Sequence, residues 1–235
     1  MFIPLNPLSA NEHFKKLKVA FVEFPPIEYI DSSNKPAGVF IDITKTVLDN
    51  AGIDFEFVQL PISRTYLYIK DGNIDLWPGL TGIPSLQGYV IESHSKPVTI
   101  TLSAWHLGNS PKIENISDLS AKNVILVTGY TYGGLLYKIT KPEFGMTALY
   151  APDHLAGLKM LQRGRGQYLL DYNEPIFNQL ETYSVEDLSH TMLNVRDGAF
   201  IISKKTPKAQ QLRQTLDQSY KQLVSEGKIK PNTAN

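Results

Sequence analysis

The hydrophobic positions in the first third of the chain alternate between the spacing of strands and the spacing of helices. Val19 and Phe21 face one way and Ala20 and Val22 the other, and apolar residues on both faces are typical of a strand covered on both sides by helices. Beyond residue 40 the apolar residues recur at helical spacing until Gly52, a residue type that commonly ends helices. The predicted order is a strand at 18–24, a helix at 40–51, a strand at 53–57, a helix at 63–70 and a strand at 74–77. This order indicates a parallel α/β sheet.

A similar order returns in the second half of the chain. Gly72 and Gly164 stand at the same joint, between a helix and the strand that follows it, in the two halves. Two extended stretches, 96–107 and 192–203, separate the halves, and a C-terminal helix carries Leu212 and Leu216 on its apolar face. The predicted elements of the second half are a strand at 123–128, a helix at 130–139, a strand at 145–150, a helix at 152–164 and a strand at 167–171.

These patterns predict two Rossmann-like lobes with mixed, mainly parallel sheets. If the C-terminal helix packs back on the first lobe, the chain crosses twice between the lobes, and two such strands form a hinge. We therefore expect a first lobe of residues 1–100 plus 195–235, a second lobe of residues 101–194, and a hinge near 97–105 and 191–197.

Composition and charge remove several classes of function. The 23 basic and 23 acidic residues cancel, so no long-range field attracts nucleic acid or anionic lipid. Cysteine is absent, which excludes disulfides, thiolate metal sites and cysteine nucleophiles. No apolar run approaches the roughly 20 residues of a membrane helix. Residues 1–10 lack the pattern of a signal peptide, so we expect any export signal of the precursor to be absent from this sequence.

Four ordered segments of the chain resemble one family. The segments 24–29 (FPPIEY) with 34–43 (NKPAGVFIDI), 70–84, 116–119 (ISDL) and 209–230 resemble periplasmic solute-binding proteins of polar amino acid ABC transporters. The resemblance covers residues from about 17 to about 230 and implies the type II, Venus-flytrap fold with a ligand between the lobes. It also implies a periplasmic or extracellular monomer that serves a membrane permease, without a cofactor, metal or catalytic residue.

In folds of this kind the ligand lies at the carboxyl ends of the strands, where loops lead into helices. The loop after the first strand presents Glu23, Phe24 and Tyr29. The aromatic rings of Phe24 and Tyr29 suit stacking on a ligand. The alternative is that these rings pack only on their own lobe.

The next loop contains Trp77, Gly79 and Thr81, and the resemblance implies that its hydroxyl and backbone groups contact the ligand. Amino acid binders of the family place an arginine shortly afterwards to clamp the α-carboxylate. Leu86 stands there in this chain, which makes a standard α-amino acid a doubtful ligand. Arg64 is a candidate substitute, unless it is a surface residue.

The second lobe offers two further loops. Thr128, Tyr130, Thr131 and Tyr132 lie in a glycine-rich turn that resembles the family's anion-receiving turn, although such turns are also common without a ligand. Asp171 matches the position where the family commonly places a carboxylate against the ligand's ammonium group; otherwise it caps the following helix.

Glu174 lies in the same loop, three residues after Asp171, and is a further candidate ligand contact; one alternative function also uses it. Cyclohexadienyl dehydratases resemble these binding proteins, and in an enzyme of that kind Glu23, Asp171 or Glu174 would act as a general acid. A second alternative is a sensor module of a membrane receptor. The five histidines lack the spacing of a metal site, and we expect them to be surface or packing residues.

Overall fold

The computed structural model describes residues 14–108 and 110–230. Its strands are β1 (Leu17–Phe21), β2 (Tyr29–Ile30), β3 (Pro36–Ala37), β4 (Phe55–Gln59), β5 (Leu76–Leu80), β6 (Val90–Glu92), β7 (Val98–Leu107), β8 (Asn123–Val127), β9 (Thr147–Ala151), β10 (Tyr168–Tyr172) and β11 (Leu188–Ser203). Its helices are α1 (Val39–Asn50), α2 (Ile62–Asp71), α3 (Leu136–Ile139), α4 (His154–Gln162), α5 (Asn173–Leu180) and α6 (Ala209–Ser225). The predicted α/β class with two lobes and two joining strands is confirmed.

One curled sheet runs through the molecule in the order β4-β1-β5-β11-β7-β10-β8-β9, with β6 paired to β11. β1 pairs in parallel with β4 and β5 at one end, and β8 pairs in parallel with β9 and β10 at the other. Each parallel unit forms the core of one lobe. Helices connect its strands in β-α-β units, and such connections join parallel strands.

The two long strands β7 and β11 connect the lobes. They pair antiparallel from Leu188 opposite Leu107 to Gly198 opposite Val98, with a register shift between Met192 and Asn194. β11 also pairs with β5 of the first lobe, whereas β7 also pairs with β10 of the second. A side chain at Gly198 would lie 2.4 Å from Val98, so this close crossing requires glycine.

The C-terminal helix α6 packs on α1, as the hydrophobic pattern predicts. The hydroxyl of Ser219 donates to the carbonyl of Val47 at 2.8 Å and accepts from the side-chain amide of Asn50 at 3.0 Å. Leu212, Leu216 and Leu223 are buried on the same face. Helix α6 therefore packs on the first lobe.

Most predicted helices are present, but the one predicted at 130–139 is wrong in extent. The structure has a 3-10 turn at Tyr132–Gly134 followed by the four-residue helix α3. Gly133 and Gly134 adopt positive φ angles of 65° and 92°, a conformation that interrupts an α-helix. The second lobe consequently presents a tight turn to the first lobe, and no long helix begins there.

No helix within residues 14–108 and 110–230 combines the length and the apolar character that a bilayer crossing needs.

Candidate functional site

A cavity of about 810 Å³ lies between the two lobes. This volume is within the range of small-molecule sites, roughly 300–1,000 Å³. Its wall comes from loops at the carboxyl ends of β1 and β4 and from β5 on one side, and from loops after β8, β9 and β10 on the other. Because each lobe builds only one wall, the site exists only where the lobes face each other.

Of the residues that the structure describes, six with aromatic side chains line the cavity. Phe24 contacts Tyr172 edge-to-face, with ring centroids 5.1 Å apart, and Tyr132 stacks on Tyr172 at 6.0 Å. Tyr66 contacts the indole of Trp77 edge-to-face at 5.5 Å. The six rings are Phe24, Tyr66, Trp77, Tyr130, Tyr132 and Tyr172. Each aromatic pair of this kind stabilises a protein by about 0.5–1.5 kcal/mol more than the burial of its surface area alone. The rings therefore hold one another in place.

A glycine fixes the position of Trp77. A Cβ atom at Gly79 would lie 2.1 Å from Cε2 of the indole, so the ring lies directly against the backbone of β5. Trp77 is 3% exposed, and its Nε1 has no hydrogen-bond partner among the described residues. The first lobe thus shapes its wall by packing.

The second lobe shapes its wall through hydrogen bonds. The carboxylate of Asp171, which is completely buried, accepts from the backbone N–H of Tyr172 at 2.8 Å and lies 2.7 Å from Nδ1 of His154. Nε2 of His154 lies 2.9 Å from the hydroxyl of Tyr130. Burial raises the pKa of Asp171, and its hydrogen bond to His154 opposes that rise.

This relay of hydrogen bonds, which runs from Asp171 through His154 to Tyr130, extends to the first lobe. The Tyr130 hydroxyl donates to the backbone carbonyl of Glu23 at 3.1 Å. A hydroxyl has only one proton to donate, so Nε2 of His154 must donate to Tyr130 in this arrangement. His154 and Asp171 then share a second proton at Nδ1. Tyr66 and Thr131 form another contact between the lobes, with their hydroxyls 3.2 Å apart.

Among the described residues, three carboxyl groups line the cavity. Glu28 accepts a hydrogen bond from the Val22 backbone at 3.0 Å, and Asp153 accepts one from the Ala156 backbone at 2.7 Å. Glu23 accepts from the Gln59 amide at 2.8 Å and from the backbone of Ile30. Glu28 is 3% exposed, and burial raises its pKa well above its usual range. Burial also raises the pKa of Glu23.

Most residues that the sequence places in the site do line the cavity. They are Glu23, Phe24, Trp77, Gly79, Thr128, Tyr130, Thr131 and Tyr132.

Five expected residues lie outside the lining. Arg64 is on the exposed surface of α2, and Tyr29 lies in the small β2–β3 hairpin. Thr81 donates through both its backbone N–H and its hydroxyl to the carbonyl of Asp197, which fastens it to β11. Asp171 stands behind His154, and Glu174 accepts from the backbone N–H of Thr101 at 3.0 Å. Asp171 does not cap α5, whose N-cap residue is Tyr172.

The sequence analysis did not single out His154 or Tyr66. It grouped His154 with the other histidines as a surface or packing residue, whereas the structure buries it in the cavity wall. The available signal was its place at the start of a helix directly after a strand. Among the described residues, no group of three or more histidine and acidic side chains is arranged to hold a metal ion.

The fold and the site together define a two-lobed protein with a cavity of small-molecule size between its lobes. The model of the family described as bacterial extracellular solute-binding proteins, family 3, matches residues 17–233. The chain belongs to this family.

Solved structures of similar proteins confirm the fold. A histidine kinase sensor domain with similarity to periplasmic binding proteins shares 18% identity and a TM-score of 0.73 over 92% of this chain and 93% of that one. An ancestral arginine-binding protein bound to arginine shares 18% identity and a TM-score of 0.72 over 92% and 95%. A Streptococcus pneumoniae ABC uptake transporter substrate-binding protein with bound histidine shares 18% identity and a TM-score of 0.71 over 91% of this chain and 88% of that one. No curated protein matches the chain.

Proposed function

We propose that this chain is the receptor of an ABC uptake system. It captures a small polar organic ligand, an amino-acid-like molecule or an amine or acid metabolite, between its lobes. The closed form then docks on a membrane permease from the periplasmic or extracellular side. The main observation behind this proposal is the cavity that both lobes line. The hydroxyl of Tyr130 in the second lobe donates to the backbone carbonyl of Glu23 in the first, which joins its two walls. Family membership and the similarity to an ABC uptake transporter substrate-binding protein support it.

The mechanism is a shift between an open and a closed population. A ligand that contacts both walls stabilises the closed form by the difference between its affinities for the two forms. The contacts between Tyr130 and Glu23 and between Tyr66 and Thr131 are made only where the lobes meet. They bias the equilibrium toward closure and therefore contribute to apparent affinity in addition to any direct contact with the ligand.

A thermal-shift screen of amino acids, amines and organic acids, followed by calorimetric titration, tests the proposal. A ligand at 100 times its dissociation constant stabilises the protein by about 2.7 kcal/mol. Tyr130→Phe is expected to weaken the best binder about three- to tenfold, because one hydrogen bond contributes about 0.5–1.5 kcal/mol. Tyr137→Phe is the control, since Tyr137 is 75% exposed on the second lobe. A flat screen, or equal effects of both variants, would contradict the proposal.

A sensor role is the second candidate, and the similarity to the kinase sensor domain favours it. The binding experiment does not separate the two roles, but reconstitution does. Ligand-dependent stimulation of ATP hydrolysis by a permease complex in liposomes supports transport. An enzyme would instead convert its ligand, so recovery of unchanged ligand after prolonged incubation, with prephenate and arogenate included among the probes, excludes the dehydratase alternative.

A further inference from the structure

The electrostatic character of the cavity is one-sided. Glu23, Glu28 and Asp153 are in its wall, whereas none of the described residues that line it is a lysine or an arginine. His154 is the one lining residue that can carry a positive charge in the described part of the chain, and it is already paired with Asp171. A ligand carboxylate would therefore enter a site without a charged partner of its own, and buried unpaired charges are costly.

The helix starts of the second lobe do not supply that partner, and the start of α2 in the first lobe, which lies in the wall with Pro61 as its N-cap and no acid in its first turn, offers the cavity backbone N–H groups but no charged side chain. α3 has only four residues, so the macrodipole at its start is small. α4 begins with Asp153 as its N-cap, and the capping carboxylate accepts from the N–H of Ala156. α5 carries Glu174 in its first turn. In the second lobe the helix N-termini that could receive an anion thus belong to a very short helix or are already occupied by the protein's own acids.

The arginine that a carboxylate needs is also held elsewhere. The position where amino acid binders of the family place an arginine holds Leu86, which is buried in the apolar core of the first lobe. Arg64, the candidate substitute, is exposed on α2. Arg196 on β11 donates from Nη1 to the carbonyl of Gly133 at 3.1 Å and is not part of the cavity lining.

The remaining features of the cavity suit a cation. Aromatic faces attract organic cations, and the attraction strengthens when water is excluded. The carboxyl groups of Glu23 and Glu28 retain acceptor capacity beyond the hydrogen bonds that they already accept, and an ammonium group placed beside Glu28 would favour its ionised form against the burial that raises its pKa. Apolar side chains such as Leu60, Ile62 and Leu80 cover the rest of the wall.

We propose that the cavity binds an organic ammonium ion with an apolar or aromatic body and no carboxylate group. The ammonium group lies within the aromatic rings and is paired with Glu23 and Glu28, while the body contacts the apolar wall. This inference rests on the proposed binding function and narrows its ligand class.

Matched probes that differ by one carboxylate test it. Calorimetric titrations of the full chain compare tyramine with L-tyrosine, agmatine with L-arginine, and cadaverine with L-lysine, and 3-(4-hydroxyphenyl)propionate serves as the charge-reversed probe. The amine is expected to bind at least about tenfold more tightly than its amino acid in the tyramine pair, and the propionate is expected not to bind. Glu23→Gln and Glu28→Gln should each weaken amine binding about tenfold or more.

Glu143→Gln, which removes the same charge from the exposed surface of the second lobe, should leave affinity unchanged. Equal or tighter binding of the amino acids would overturn the ligand class and leave the receptor function standing; loss of that binding in Arg196→Gln would show that this arginine turns to receive the carboxylate. Binding of an organic acid alone would also overturn the inference. Failure of every probe and of the whole metabolite screen would overturn both the inference and the proposed function.

Discussion

The two walls of the cavity are built by different physical means. The first lobe positions Trp77 by pressing its indole against Gly79 and Tyr66, and it holds Glu28 in a buried position with one hydrogen bond. The second lobe positions Tyr130 through a chain of hydrogen bonds that runs by way of His154 to Asp171. The first wall depends on shape, and the second depends on proton donors and acceptors.

This difference teaches where each wall tolerates change. A packed wall fails when volume is added, because interiors are close-packed. A hydrogen-bonded wall fails when one partner is removed, because the other is left buried and unsatisfied. Substitutions that are harmless in one wall should therefore be damaging in the other.

The largest effect on stability is expected from Asp171→Ala. The substitution leaves Nδ1 of His154 without its partner in a fully buried position, and breaking a buried pair in this way costs about 3–5 kcal/mol. Urea unfolding of both proteins measures the loss. Asp153→Ala is the matched control, because it removes a neighbouring carboxylate that only caps α4, at a cost of about 1 kcal/mol. Equal losses in the two variants would show that the relay contributes no more than a helix cap.

Gly79→Ala is expected to have the next largest effect. The added methyl group would overlap the indole of Trp77, so the ring must leave its place in the wall, and overpacking of this kind costs about 1–3 kcal/mol. A double-mutant cycle with Trp77→Leu measures the cause: the cost of Gly79→Ala should largely disappear when the indole is absent. Additive costs would show that the backbone of β5, and not the ring, is what the methyl group disturbs.

How far the sequence predicted the site also differs between the walls. Glu23 and Phe24 follow β1 and Tyr130 follows β8, and strand periodicity together with the family resemblance predicted site loops at these positions. The structure brings all three residues to the cavity wall, and their contact with a ligand stays a prediction. Gly72, with φ of 76°, ends α2 as its position in the pattern predicted. The domain boundaries and hinge ranges stay predictions, because β7 and β11 run unbroken through both lobes.

The sequence could not predict the direction of individual side chains or the contacts between residues that are far apart along the chain. Thr65 and Ile69 form the buried face of α2, which turns the adjacent Arg64 toward solvent, and periodicity in a short helix does not fix that rotation to within one residue. The pairing of His154 with Asp171 depends on the packing of α4 beside β10. Residues 17 positions apart carry no local signal of such contact.

The effect that depends on pH is expected from Glu28→Gln in the absence of ligand. Burial raises the pKa of Glu28 well above its usual range, so the folded protein holds this proton more tightly than the unfolded chain does. The wild type therefore loses stability as pH rises from the unfolded pKa, about 4.3, toward the folded pKa, by about 1.4 kcal/mol for each unit that separates them. Glutamine does not titrate and can still accept from the N–H of Val22.

The free energy of unfolding of Glu28→Gln relative to the wild type should thus increase between pH 4 and pH 7, as measured by urea titrations at several pH values. Glu56→Gln is the control of opposite sign, because the hydrogen bond from Lys16 lowers the pKa of Glu56 and the variant should lose relative stability as pH rises past that pKa. A difference for Glu28→Gln that is constant with pH, or that falls, would mean that the first wall holds this carboxyl group in its charged form. The first wall would then owe its order to an ion-stabilising arrangement, as the second does, and the contrast between packing and hydrogen bonding would not hold at Glu28.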